Sequence, residues 1–134
     1  MYLKRYKMVR FCPLFSGSSG NSTYISNGSF SILIDVGVSA KSVTDALLEI
    51  GAKPDEIDAI FITHEHTDHI KGVRIFASKF DIPVYTNEQT MNELLKDEKF
   101  ANNVEYHVID TPVSINGNTI SAFSTPHDSV SSCG

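Results

Sequence analysis

Three of the five histidines in this 134-residue chain fall within six residues, in the run Thr63-His64-Glu65-His66-Thr67-Asp68-His69. Alternate side chains of an extended segment share a side, so His64, His66 and Asp68 can point into one pocket. A turn into a helix would bring His69 round to join them. Imidazole nitrogens and a carboxylate are the ligands that Zn, Mn or Fe prefer. The His64/His66 pair suits one ion. Asp68 and His69 suit a second about 3.5 to 4 Å away, the separation used by two-metal hydrolases. A metal site is therefore expected at this run, against the alternative of an accidental cluster on a solvated loop.

Two other stretches carry possible chemistry. In Ser16-Gly-Ser-Ser-Gly-Asn-Ser22, successive backbone N–H groups in glycine-permitted conformations can form an anion-binding concavity. The same run also reads as a plain flexible connection. His127 stands alone beside Pro126, and His107 sits between Tyr106 and Val108 in a strand-like segment, where it reads as an ordinary strand residue.

The elements that must position these residues follow from hydrophobic periodicity. Val9 to Phe15 and Ser22 to Ser26 read as strands on either side of the glycine-serine run. Asn27-Gly28 signals a two-residue hairpin turn into the strand Phe30 to Asp35, whose near-continuous apolar character suits cover on both faces. Ala40, Val43, Ala46, Leu47 and Ile50 predict an amphipathic helix over Ser39 to Ile50, stopped by Gly51 and Pro54. Ile57 to Thr63 reads as a strand, and a helical stripe runs from Asp68 through Ile70, Val73, Phe76, Ala77 and Phe80. A strand Ile82 to Tyr85, a helix Glu88 to Lys96, and strands Val104 to Ile109 and Thr119 to Ser124 complete the pass, the last after an Asn116-Gly117 turn. The histidine run thus falls at a strand-to-helix junction, where α/β folds place binding residues. The alternation predicts an α/β (α+β) class.

Size and charge narrow the rest. With 11 Lys+Arg against 16 Asp+Glu, a net charge of −5 and 41% hydrophobic residues, the chain reads as one ordinary globular domain. At this length about two-thirds of the unfolded surface is buried, which leaves no room for a second core. No stretch approaches the roughly 20 apolar residues of a membrane span. Pro13 interrupts the apolar residues after the basic N-terminus, so a signal peptide is not expected and the cytoplasm is the expected compartment. Cys12 and Cys133 have no CxxC spacing and are expected as reduced thiols. The acidic balance argues against nucleic-acid binding by bulk charge, though not against a nuclease that grips phosphate through metal ions. The basic residues Lys4, Arg5, Lys7 and Arg10 could meet an anionic substrate or form a solvated terminus.

His64-x-His66-x-Asp68-His69 after a strand resembles the metal-binding motif of the metallo-β-lactamase fold, an αββα sandwich with its metals at one edge. Ile32-Leu-Ile-Asp35-Val-Gly37 is similar to that family's strand-ending Asp-x-Gly, and Thr125-Pro-His127-Asp128 to the position of its third histidine. The serine-glycine run, together with Thr63-His-Glu-His-Thr-Asp-His-Ile-Lys-Gly72, looks most like the YycJ/WalJ branch. That resemblance implies a metal-dependent DNA exonuclease related to RNase Z and other phosphodiesterases. It further implies two divalent ions, Zn or Mn with Fe as a third option. His64, His66 and His127 would hold the first, and Asp68 and His69 the second. Asp35 would orient the histidine loop, unless it is a plain turn carboxylate. Ser18, Ser19 and Asn21 would line the substrate site. Asp68 would also guide the proton of the attacking water.

The resemblance also implies a bridging Asp and a last His from the second half of the sandwich, and no histidine follows His127. The expectation is that residues 1–134 form the N-terminal part of a single metallo-β-lactamase-like domain. A homodimer or a complementing C-terminal half would then complete it, and apolar strands such as Ile32 to Ile34 would lose part of their cover. The reaction expected of the completed site is phosphodiester hydrolysis on a nucleic acid, with no membrane partner. Lys71 and Arg74 could meet its backbone or form a solvated helix face. Alternatives are a thioester or lactone hydrolase of the same fold, or an inactive metal-binding fragment.

Overall fold

A computed structural model describes residues 9–121. Six strands form one sheet in the order β1-β2-β3-β4-β5-β6: β1 Arg10–Phe15, β2 Ser22–Ser26, β3 Ser31–Ile34, β4 Ala59–Phe61, β5 Val84–Thr86 and β6 Tyr106–Val108. The first three are antiparallel, and the pairings from β3 to β6 are parallel. Helices α1 Ala40–Glu49, α2 Thr67–Ile70, α3 Val73–Phe80, α4 Glu88–Leu94 and α5 Glu98–Asn103 connect the parallel strands, and β7 Val113–Ile115 and β8 Asn118–Ile120 make a separate hairpin.

Register divides the sheet's side chains between two cores. Leu33 pairs with Tyr24 on one side and Ile60 on the other, and Ile60 with Val84. These four side chains face the helices, where Val43, Leu47, Val73 and Phe76 are almost completely buried. Burial on that scale contributes about 1.5–3 kcal/mol per large apolar side chain. Ile32, Ala59 and Phe61 alternate to the opposite face, where Val113, Ile115 and Ile120 of the hairpin pack over them. Of the strands expected to lose part of their cover, Ile32, Ala59 and Phe61 are buried beneath β7 and β8, and Ile34 is half-buried. A hydrogen bond of 2.8 Å from Asn27 Nδ2 to Asn118 Oδ1 ties that hairpin to the β2–β3 loop.

Several boundaries differ from the sequence reading for identifiable reasons. The β2–β3 connection is a four-residue loop, not a two-residue turn, because Asn27 Oδ1 accepts the N–H groups of Ser29 and Phe30. The stripe from Asp68 to Phe80 is two helices, broken at Gly72, whose backbone meets that of residues 36–40. α5 and β7 were not expected. α5 follows Asp97, whose side chain caps the N–H of Lys99, and the segment read as a strand from Val104 contributes only Tyr106–Val108. α1 begins as predicted, with Ser39 capping Ser42, and ends before Gly51. Thr119 falls in β8, and the rest of the predicted last strand beyond residue 121 lies outside the described residues, as do Lys4, Arg5, Lys7, His127 and Cys133. Arg10 is engaged structurally. It donates to the carbonyl of Ile50 at 2.7 Å, beyond the end of α1, and lies over the Tyr24 ring. Among the described residues no helix is long and apolar enough to cross a membrane.

Candidate metal centre

The site forms where β3 and β4 end side by side. β3 runs into Asp35, a left-handed residue with φ 64°, a conformation that aspartate tolerates better than most residues. β4 runs into the loop that carries Thr63 to His66 before α2. Parallel pairing of Ile34 with Phe61 brings the two strand ends together, and the Asp35 N–H donates to the Phe61 carbonyl at 2.8 Å.

Asp35 is buried and satisfied by three donors. Its Oδ1 accepts the Thr63 N–H at 2.8 Å, and its Oδ2 accepts the Thr63 hydroxyl at 2.7 Å and His69 Nδ1 at 2.6 Å. The Thr63 hydroxyl, having given its hydrogen to Asp35, accepts from His64 Nδ1 at 3.0 Å. This network assigns the N–H of both rings to Nδ1 and leaves Nε2 of His64 and His69 as lone-pair donors. Burial opposes charge on His69, but the hydrogen bond and charge of Asp35, with the charge of Asp68, outweigh it and raise the ring's pKa above its ordinary value.

His64, Asp68 and His69 converge: one ligand atom from each lies within 4.8 Å of the others. Their rings and carboxylate offer a mixed N/O donor set that fits a divalent transition ion. His64 and His69 are close, with ring centroids 3.7 Å apart, and His69 Nε2 lies 3.5 Å from Asp68 Oδ2. The trio draws from both of the ion pairs expected in the sequence. His66 stands against His64 in an edge contact at 4.9 Å between centroids, in the extended residue that precedes α2, and is not one of the three convergent ligands.

Two backbone segments lock this turn. The Val36 N–H donates to the His69 carbonyl and the Gly72 N–H to the Val36 carbonyl, at 3.0 and 2.8 Å. A Cβ on Gly37 would lie 1.7 Å from the Asp68 carbonyl oxygen, and one on Gly72 would lie 2.1 Å from that of Val38. Only glycine permits that approach. Thr63, Gly37 and Gly72 stand in the quoted motifs, but the sequence reading gave them no role.

Ser18 and Ser19 line an open depression of about 450 Å³ with Gly37, Thr67, Asp68 and Lys71. Asn21 turns inward, toward Asp68 and His69. Lys71 and Thr67 also line a neighbouring cavity of about 450 Å³ with Ile70, Leu94 and Phe100. Arg74, in that cavity, pairs with Asp97 at 3.5 Å. His107 lies outside the site, stacked on Tyr85 and paired with Glu105.

Comparison with known proteins bears on the family and the fold. The chain is 43% identical over 96 residues to the exodeoxyribonuclease WalJ of Streptococcus pneumoniae serotype 2, covering 72% of this chain and 35% of that protein. It is 38% identical over 86 residues to the exodeoxyribonuclease YycJ of Bacillus anthracis, covering 64% and 33%. The match thus spans about a third of the length of these curated relatives. The crystal structure of BJP-1, a subclass B3 metallo-β-lactamase of Bradyrhizobium japonicum, superposes with a TM-score of 0.70 at 19% identity, over 98% of this chain and 54% of that one, which shows the shared fold. A family model described as the metallo-beta-lactamase superfamily matches residues 16–127, so the chain belongs to that superfamily.

Proposed function

We propose that this chain is the N-terminal, ligand-bearing part of a metal-dependent phosphodiesterase domain whose substrate is DNA, attacked as by an exonuclease. The observation that carries the reading is the convergence of His64, Asp68 and His69, with Asp35 and Thr63 fixing which nitrogen of each ring faces the site. Similarity to two exodeoxyribonucleases supports the substrate class. Their greater length supports completion of the site by residues beyond these, in the same polypeptide or from a second copy or a complementing half.

His64, Asp68 and His69 would hold one divalent ion, with His66 and His127 as further ligands and a second ion completing the pair; Zn and Mn fit this donor set, and Fe is a third option. Such ions supply Lewis acidity, neutralising charge on the phosphoryl group and acidifying water. The residues do the rest. Asp68 belongs to the ligand set and also lines the open depression, so its carboxylate can accept the proton of the attacking water. The water oxygen bonds to phosphorus, the bond to the leaving sugar oxygen breaks, and that oxygen takes up a proton. Ser18, Ser19 and Lys71 border the depression where a phosphate of the chain would lie. The cytoplasm is the compartment in which such a nuclease would meet its DNA.

The test is hydrolysis of end-labelled DNA by purified protein, with Zn or Mn supplied, beside a panel of thioesters and lactones. Stepwise shortening of DNA that is lost in Asp68→Ala supports the reading. Turnover of a thioester or lactone with DNA untouched contradicts it. Metal uptake without any hydrolysis would make the chain an inactive metal-binding fragment.

A further inference from the structure

Asn21 lies in the serine-glycine run but is not among the residues that line the depression with Ser18 and Ser19; its side chain reaches Asp68 behind them. Its Nδ2 lies 2.9 Å from the Gly17 carbonyl, 3.1 Å from the Asp68 carbonyl, 3.3 Å from Asp68 Oδ2 and 3.4 Å from His69 Nε2. Its Oδ1 accepts the Gly17 N–H at 3.1 Å. The backbone fixes this placement independently. The Asn21 N–H donates to the Asp68 carbonyl and its own carbonyl accepts from Gly37, both at 2.8 Å. An amide nitrogen has two hydrogens, and here four acceptors surround it, so they share it. Of those four atoms, Asp68 Oδ2 has lone pairs for both an N–H and a cation, whereas His69 Nε2 has a single lone pair, which a cation would take in place of the amide.

We propose that Asn21 is a positioning residue of the metal centre: its amide nitrogen holds the Asp68 carboxylate, and the backbone turn that carries it, beside the His69 ring, so that cation affinity depends on a residue that is not itself a ligand. The proposal rests on the reading of His64, Asp68 and His69 as metal ligands. The chemistry is specific to an amide. Its N–H groups are donors with no net charge, so they orient the Asp68 carboxylate without repelling the ion. A lysine at this point would repel the ion, and an aspartate would lack hydrogens to donate. As at other metal sites, a partner beyond the ligands tunes affinity by fixing their orientation.

The experiment uses the full chain and its Asn21→Ala variant, with Asn21→Ser, whose hydroxyl stops short of the ligands, as a second variant should alanine unfold the loop. Each is titrated with Co²⁺ by its visible absorption. The ring ¹⁵N shifts of His69 are read separately in chelator-treated protein at alkaline pH. The expected result is a 10- to 100-fold loss of Co²⁺ affinity, with a displaced Nε2 resonance of His69 and an unchanged far-ultraviolet circular dichroism spectrum. A residue that only pinned the Gly17 turn would move neither the resonance nor the affinity, and that outcome overturns the proposal. A moved resonance with unchanged affinity overturns it as well. If the unsubstituted chain takes up no Co²⁺, the metal reading itself falls, while the His69 resonance still decides whether the Asn21 amide contacts the ring.

Discussion

Asp35 Oδ2 lies 2.6 Å from His69 Nδ1, joining the end of β3 to the turn that carries the candidate ligands. The same carboxylate binds both the N–H and the hydroxyl of Thr63, so one buried group fixes the loop after β4 and the ring in α2. Asp35→Ala would leave the Thr63 N–H and His69 Nδ1 without their acceptor. The expected cost is about 1–3 kcal/mol of folding stability, and a 10- to 100-fold loss of metal affinity accompanies it. Denaturant unfolding in chelator and a separate metal titration measure the two effects.

The same pair sets a pH dependence. The folded-state pKa of His69 lies above its ordinary 6.5, so the folded protein binds the proton more tightly than the unfolded chain. This contribution to stability is fully present below about pH 6.5 and is lost as pH rises through the folded value. In chelator, unfolding midpoints should therefore show a His69-dependent fall on going from about pH 6 to about pH 8.5, and His69→Gln should remove that component. Metal uptake runs the other way, weakening as protons compete for the ring at low pH. A His69-dependent component of the opposite sign would refute the assignment.

Gly37 and Gly72 test the backbone lock. Alanine at either position must displace a carbonyl that its Cβ would overlap, at a cost of at least about 1–3 kcal/mol. Gly117, unlike those two, has a positive φ but faces open space, so Gly117→Ala should cost only about 1–2 kcal/mol of left-handed strain. The Gly37 and Gly72 variants should lose metal affinity as well, because the Asp68 and His69 backbone moves with them; Gly117→Ala should not. Equal metal titrations for all three would show that the lock does not set the site.

How much of this was legible in sequence depended on range. The candidate ligand run announces itself because His64, Asp68 and His69 are neighbours in the chain, and strand β4 and helix α3 are clear from their periodicity. Thr63 and Gly37 are silent, because each acts only through a segment some 30 residues away that the fold brings against it. β7 was missed for another reason. Three residues between Pro112 and Asn116 are too short for a period to show, although the Asn116-Gly117 turn was readable. α5 starts inside the charged run Lys96-Asp-Glu-Lys99, where the capping role of Asp97 is masked by its neighbours.

The hairpin's packing makes its own prediction. Ile115 and Ile120 help cover Phe61 and Ile32, so Ile115→Asp should bury a charge or expose that face. The variant should bind more hydrophobic dye and associate with rising concentration, as read by light scattering. An unaltered monomeric variant would mean that the hairpin does not provide the cover.

The central claim is that His64, Asp68 and His69 form a metal site, and metal content tests it most directly. Elemental mass spectrometry of freshly purified chain is compared with the His64→Ala/His69→Ala double variant. The prediction is a divalent transition ion at roughly stoichiometric level in the chain, reduced to background in the variant. Equal, near-background metal in both proteins would contradict the claim.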